Sequence, residues 1–299
     1  MIMNMSAGAN IQPVVGKLLS TLNVGDTLEV PVVSDWQSRF GTNIVWKVAD
    51  KNHTGYPANS VTLITEKIIQ LMASDAKEPS NSNSDRKSYG NNRHIYSNLL
   101  QWLNSNATAG NWYSAKHSAD APPTNANVWD NYNEYDAWAG FLAMLDSKFV
   151  SELLDTTLTV VKSSTDGGSY ETFTAKMFLT STTEVGLANE NEIAEGACLA
   201  LFSDDASRVA YPTAECVSNS EYSNSNFTTS KGWYWWLRTP HSSSALFVAS
   251  YVRRVGSDGT LRSSGAYSGS NGVRPLCNLP GSLRVSESPN AAGNYTIMN

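Results

Sequence analysis

The chain has 299 residues, 41% of them hydrophobic and 16% charged, with a formal net charge of −6. That length buries a sizeable core as one large domain or two smaller ones. The acidic balance argues against nucleic acid as a partner, because phosphate binding needs clustered Lys and Arg. No run of about 18 apolar residues is present, so no membrane-spanning helix is expected. The first residues, MIMNMSAGANIQPVV, lack the charged and apolar regions of a secretory signal.

Residues 1–23 carry a short apolar segment, Val14 to Leu22, expected as an N-terminal arm for attachment or oligomerisation. After an Asn23–Asp26 turn, Thr27–Val33, Asn43–Ala49 and Ser60–Ile64 are predicted strands, β-branched and bounded by polar turns. Thr65–Ala73 shifts to helical spacing through Ile68, Ile69, Leu71 and Met72, and Lys77–Asn92 is predicted loop. His94–Asn104 reads as a helix with Leu99, Trp102 and Leu103 on one face. Ala109–Asn133 is a long aromatic loop, of a length that is often functional or specially packed. Tyr135–Leu154 is predicted helical in two pieces. Leu158–Lys162 and Thr172–Thr180 form a hairpin around Thr165–Gly168. Glu184–Asp205 and Tyr211–Ser230 are predicted loops. From Gly232 the pattern is all-β, with Ser257–Asp258–Gly259 as a hairpin tip, and residues 289–299 are a mobile tail. The class is α+β with short antiparallel strands, few helices and long loops, and residues 24–288 are read as a single domain.

Enzymatic signals are weak. There is no GxSxG, HExxH, P-loop or GxGxxG in a strand–helix context. Cys198, Cys216 and Cys277 show no CxxC spacing, which leaves open whether one pair bridges, and the four His are scattered. Neither a metal site nor a cofactor is expected. Two acidic groups, Asp130, Glu134 and Asp136, then Glu190, Glu192, Glu195, Asp204 and Asp205, read as solvated loops. Calcium binding and a hydrolase carboxylate pair acting on glycans are the alternatives. Arg238 and Arg274 lie beside apolar residues, which suits either an anion site or a buried tie between loops. Trp233, Trp235 and Trp236 alternate along a strand, so at least one ring faces the core and another supports or lines the surface.

The segment His241–Asn271 contains no Lys, Glu, Gln, Met or Trp. If Asn codons of the form AA-pyrimidine were randomised at their adenines, those five types could never arise. The residues that do occur, mainly Ser, Tyr, Arg, Gly, Asp, His and Leu, all fall inside the permitted set. A Ser/Gly-rich hairpin loop is the plain alternative.

The framing sequences WWLRTP (Trp235–Pro240) and GVRPLCNL (Gly272–Leu279) resemble an unknown-function domain family found in gut Firmicutes and their phages. Trp46–His53, Ser97–Asn104, Gly110–Tyr113, Gly140–Leu142 and Thr183–Leu187 extend the resemblance over roughly residues 25–280. That family looks like a relative of the C-type lectin, or formylglycine-generating-enzyme, fold. The same ends are similar to variable proteins of diversity-generating retroelements, which display mutable side chains on phage tips or cell surfaces. The resemblance implies a structural frame of Trp235, Trp236, Leu237, Arg238, Gly272, Val273, Arg274 and Pro275 within the segment 232–279. It implies a variable face of His241, Tyr251, Arg253, Arg254, Ser257, Asp258, Arg262, Ser263, Ser264, Tyr267, Ser268 and Ser270. The expected function is receptor binding by a virion or bacterial-surface subunit, with a host-surface protein or glycan as partner and attachment as a homo-oligomer or to a larger particle. A structural virion protein without a ligand is the remaining reading. The EPN, QPD and WND tripeptides of calcium-dependent sugar-binding lectins are absent, as is any match to the paired catalytic cysteines of formylglycine-generating enzymes.

Overall fold

The computed structural model describes residues 16–242 and 246–298. The architecture is mixed α/β with mostly strands, few helices and a sheet curled into a half barrel. The chain begins with β1 (Lys17–Leu18), β2 (Thr27–Pro31), α1 (Gln37–Phe40), β3 (Asn43–Lys51), β4 (Ser60–Thr65) and β5 (Gln70–Leu71). There follow α2 (Ser84–Tyr89), α3 (Asn98–Leu103), α4 (Ser147–Glu152), β6 (Thr156–Val161), β7 (Tyr170–Ala175) and β8 (Met177–Phe178). The last part holds α5 (Asp205–Arg208), α6 (Ala214–Asn219), β9 (Trp235–Pro240), β10 (Tyr251–Val255), β11 (Leu261–Gly265), β12 (Gly272–Val273), β13 (Leu276–Pro280), β14 (Arg284–Val285) and β15 (Asn294–Thr296).

Two sheets organise these elements. One has the strand order β15-β2-β3-β4-β13-β8 and the other β11-β10-β9-β12-β5; β6 and β7 form a separate hairpin. In β2 and β3, Leu28, Val30, Ile44 and Trp46 are buried between more exposed neighbours, the alternation of a sheet with one covered face. β4 and β13 are buried on both faces. Val61, Leu63, Cys277 and Leu279 enter one apolar core, whereas Ile64 and Leu276 enter another. A buried bond between Thr62 Oγ1 and Asn278 Oδ1 (2.6 Å) satisfies polar atoms between these strands. Trp236 joins the first core and Trp235 and Leu237 the second, so β9 is also covered on both sides.

Several segments depart from the sequence expectation. Thr65–Ala73 is extended rather than helical: β5 pairs with β12, and Ile69 N donates to Val273 O at 3.1 Å. Ile68 and Leu71 enter one core while Ile69 and Met72 enter the other, so a mainly apolar run around the buried Gln70 imitated a helical stripe. The predicted loops 77–92 and 211–230 contain α2 and α6. Both are capped locally, by the Asn83 side chain on Asp85 N and Arg86 N and by Thr213 Oγ1 on Cys216 N. Of the predicted 135–154 helix, α4 and one 3-10 turn at Phe141–Met144 form. Part of the expected arm is integrated: β1 pairs with β14, and Leu19 and Leu22 are fully buried. The remainder, residues 1–15, lies outside the described residues.

The expected mobile tail is likewise a structural element. β15 runs parallel to β2, and Thr27 Oγ1 donates to Asn294 Oδ1 at 2.7 Å. Tyr295 and Ile297 pack on the first core. Deleting residues 289–299 is expected to cost about 2–4 kcal/mol in urea unfolding, the scale of two partly buried side chains and a strand edge. An unchanged midpoint would show that the strand adds nothing.

Candidate functional site

The site is built outward from Arg238, whose side chain is 0% exposed. Its Nε donates to Thr159 O (3.2 Å), Nη1 to Leu179 O (2.9 Å) and Glu184 Oε2 (2.6 Å), and Nη2 to Glu184 Oε1 (2.7 Å) and Glu195 O (2.6 Å). All five guanidinium donors are therefore used. Burial by itself would lower the Arg238 pKa; the bidentate Glu184 carboxylate reverses that and raises it. Glu184 also accepts from Tyr56 Oη and Ser181 N. Arg274 is buried too, giving Nε and Nη2 to the Thr65 carbonyl and lying 4.8 Å from the Trp235 ring. Both arginines are ties between segments. Gly272, Val273 and Pro275 are buried beside them.

Trp235 and Trp236 are fully buried, so neither lines the surface, and Trp233 is 5% exposed. Each indole N–H has a carbonyl acceptor: Ser270 for Trp233, Arg208 for Trp235 and Met72 for Trp236. The frame is thus locked by polar as well as apolar contacts.

The β10–β11 hairpin hangs from β9, with Arg254 opposite Arg262, Arg253 opposite Ser263 and Val252 opposite Ser264. Its tip is the expected Ser257–Asp258–Gly259. Gly259 has φ +82°, and a Cβ there would lie 1.9 Å from the Asp205 carbonyl oxygen. Arg208 Nε holds the Gly259 carbonyl at 2.9 Å, which fastens the tip to α5.

The proposed face divides into parts. Ser257, Asp258 and Arg262 are exposed at the tip, where Asp258 pairs with Arg262 at 3.4 Å. Arg253 turns away to the buried Glu190, which also accepts from Ser242 N and Oγ; His241 lies beside this pair, half-buried, its pKa lowered by burial and by Arg253. Tyr251 and Tyr267 turn to an aromatic surface, and Arg254 turns to the Tyr234 ring. Ser268 is buried rather than displayed, its Oγ bonded to Ser264 Oγ at 3.1 Å, and half-buried Ser270 serves through its carbonyl.

That aromatic surface contains residues which the sequence did not single out. Phe247 stacks on Tyr251 (4.7 Å, 12°), Tyr89 packs edge-on to Phe247 (5.2 Å), and Tyr267 packs on Tyr89 (5.6 Å). Phe247 takes a φ of +60°, an unusual backbone for a bulky residue, between these rings. Farther along, the Arg254 guanidinium lies 4.1 Å from the Tyr234 ring centre, and Trp129, Tyr132 and Tyr222 pack mutually at 5.6–5.9 Å. All of these rings are half-buried. The only sequence sign of this was the aromatic density of the loop before Asn133.

The family described as Domain of unknown function (DUF6273) matches residues 59–281. The chain belongs to that family. The first and last residues matched are joined, since Gly281 N donates to Asn59 O at 2.7 Å at the paired ends of β4 and β13. The DUF6273 unit therefore closes on itself, with β1, β2, β3, β14 and β15 contributed by sequence outside the match. Neither the curated proteins nor the solved structures yield a match to the chain.

Within the DUF6273 unit the second acidic group is a solvated loop only in part. Glu190 and Glu195 are buried and engaged, while Glu192, Asp204 and Asp205 are exposed. In the first group Asp130 is exposed and Glu134 and Asp136 are half-buried. The three cysteines are free thiols. Among the described residues no group of three or more His, Cys, Asp or Glu is placed to hold a metal ion. Glu195 accepts from Val161 N (2.9 Å) and from Thr239 Oγ1, and burial pushes its pKa up to about 7.

Two expectations follow from this buried node. Glu184→Ala strands Arg238 without its counter-ion and should cost about 3–5 kcal/mol in chemical denaturation; a loss below about 1 kcal/mol would contradict it. The Glu195 carboxyl has a folded pKa above its ordinary 4.5. Its contribution is therefore complete below about pH 4.5 and is lost as pH rises through about 7, a change of roughly 3 kcal/mol. Glu195→Gln keeps an acceptor for Val161 N and does not titrate. Wild type should lose stability relative to this variant across that window, and parallel pH profiles would refute the assignment.

Proposed function

We propose that this DUF6273 protein is a binding protein, a receptor-recognition subunit of a phage particle or an adhesin of a bacterial surface, with a C-type lectin-like fold. The observation carrying this reading is the half-buried run of rings around Tyr89, Phe247, Tyr251 and Tyr267 at the base of a rigidly tied hairpin. Tyr offers large contact area with little rotamer entropy to lose, and Ser and Gly leave the background neutral. A frame held by buried bonds keeps that surface in place before a partner arrives, which lowers the cost of binding. The residue types missing from His241–Asn271 support a segment rewritten at adenines, so that one frame serves many partners. Several copies presented together, as a homo-oligomer or on a particle, would convert modest affinity for a host-surface protein or glycan into firm attachment.

The test is flow cytometry of gut Firmicutes cells with the labelled full chain presented as a tetramer. We expect some strains to be labelled, and the Tyr251→Ala/Tyr267→Ala double variant to lose about tenfold or more of the apparent affinity, about 1.4 kcal/mol, with its thermal midpoint retained. Equal labelling by variant and parent, or no labelling of any strain, would sink the reading.

A further inference from the structure

Most arginines of this molecule meet a carboxylate or a carbonyl. Arg86, Arg93, Arg208, Arg238, Arg253 and Arg262 each face a carboxylate, and Arg274 spends its bonds on carbonyls. Arg254 has neither arrangement. Among the described residues no carboxylate pairs with it; it packs on the Tyr234 ring and donates Nη1 to Asn271 Oδ1. Its Nε–H is buried and has no acceptor. Arg262 lies opposite it in register and adds repulsion, and burial together with that repulsion lowers its pKa. A half-buried cation left in this condition costs stability, which an incoming anion would recover.

Tyr234 also walls a cleft of about 380 Å³, shared with Tyr222, Asn224, Asn226, Lys231 and Trp233. Rings of Tyr222 and Trp233 lie 6.1 Å apart, and those of Trp233 and Tyr234 lie 5.1 Å apart. Lys231, the other cation here, is bonded to the Asn226 amide oxygen at 2.7 Å and faces no carboxylate. Aromatic faces suit the C–H faces of a sugar ring, side-chain amides suit its hydroxyls, and a guanidinium suits a carboxylate or phosphate through paired bonds.

We infer that the cleft bounded by Tyr222, Trp233 and Tyr234, with Arg254 beside it, is a subsite for an anionic sugar, one ring bearing a carboxylate or a phosphate. This rests on the binding reading above and narrows its ligand. Trp233, Tyr234 and Tyr222 lie outside the interchangeable stretch, so the aromatic part of the subsite would persist while the hairpin varies.

The experiment is calorimetric titration of the full chain with glucuronic acid, glucose 6-phosphate, glucose and inorganic phosphate. We expect at least one acidic sugar to bind about tenfold or more tightly than glucose, with a preference that falls as salt is added. Whichever acidic sugar binds identifies the anion. Arg254→Gln should abolish the preference and leave glucose binding unchanged. Asn224→Ala/Asn226→Ala, at the exposed rim, should weaken all sugars alike and serves if the Arg254 variant fails to fold. Equal affinity for glucose, no binding of either acidic sugar, inorganic phosphate binding as tightly as glucose 6-phosphate, or no effect of the variants would each overturn the subsite. Acidic sugars bound in solution without labelling of any cell would leave the subsite standing and remove the adhesion reading. Cell labelling indifferent to Arg254→Gln and to competing acidic sugar would do the reverse.

Discussion

The fold depends on one buried guanidinium. A cation taken wholly out of water is tolerable only when its charge is matched and its donors are filled. Arg238 meets that demand by drawing together β6 through Thr159, the segment after β8 through Leu179, and the acidic loop through Glu184 and Glu195. Glu184 in turn holds Tyr56, from the turn between β3 and β4. Long loops that would otherwise be loose are pinned to the strand from which the hairpin hangs. The same loop supplies Glu190 to Arg253, so the hairpin is tied a second time through the buried network.

This arrangement separates the tasks of neighbouring residues. On one strand Arg253 is spent on structure and Arg254 is left without a counter-charge, because successive side chains of a strand point to opposite sides. The hairpin tip is docked by Gly259 against α5, and the three Trp side chains are fixed through their indole N–H groups. Rigid surroundings hold the half-buried rings, packed on one another, at the surface. They also hold Phe247 in a backbone conformation that it would not adopt alone.

Much of the fold could be read along the chain wherever a strand has one wet face. β2 and β3 alternate, and their turns are marked by Gly, Asn and Asp. The motif ends around Arg238 and Arg274 were visible because large, specific residues were packed closely together. Reading failed where a segment is covered on both sides, as at Ile68–Met72, since apolar residues facing both ways leave no two-residue period to report. It also failed for α2 and α6, whose polar sequences hide caps made by single side chains, and for β15, whose partner β2 lies at the other end of the chain.

The sequence by itself determined the unknown-function family and the restricted composition of His241–Asn271, because these reside in residue identity and local spacing. Tertiary structure decided which serines and arginines of that segment face solvent, and it brought Tyr89, Trp129, Tyr132, Tyr222 and Tyr234 to the same surface. Side-chain exposure and charge pairing arise from contacts between residues far apart in the chain, such as Arg253 with Glu190 and Tyr267 with Tyr89. No local pattern encodes those contacts, so Arg254 stands out only once its neighbours in space are known.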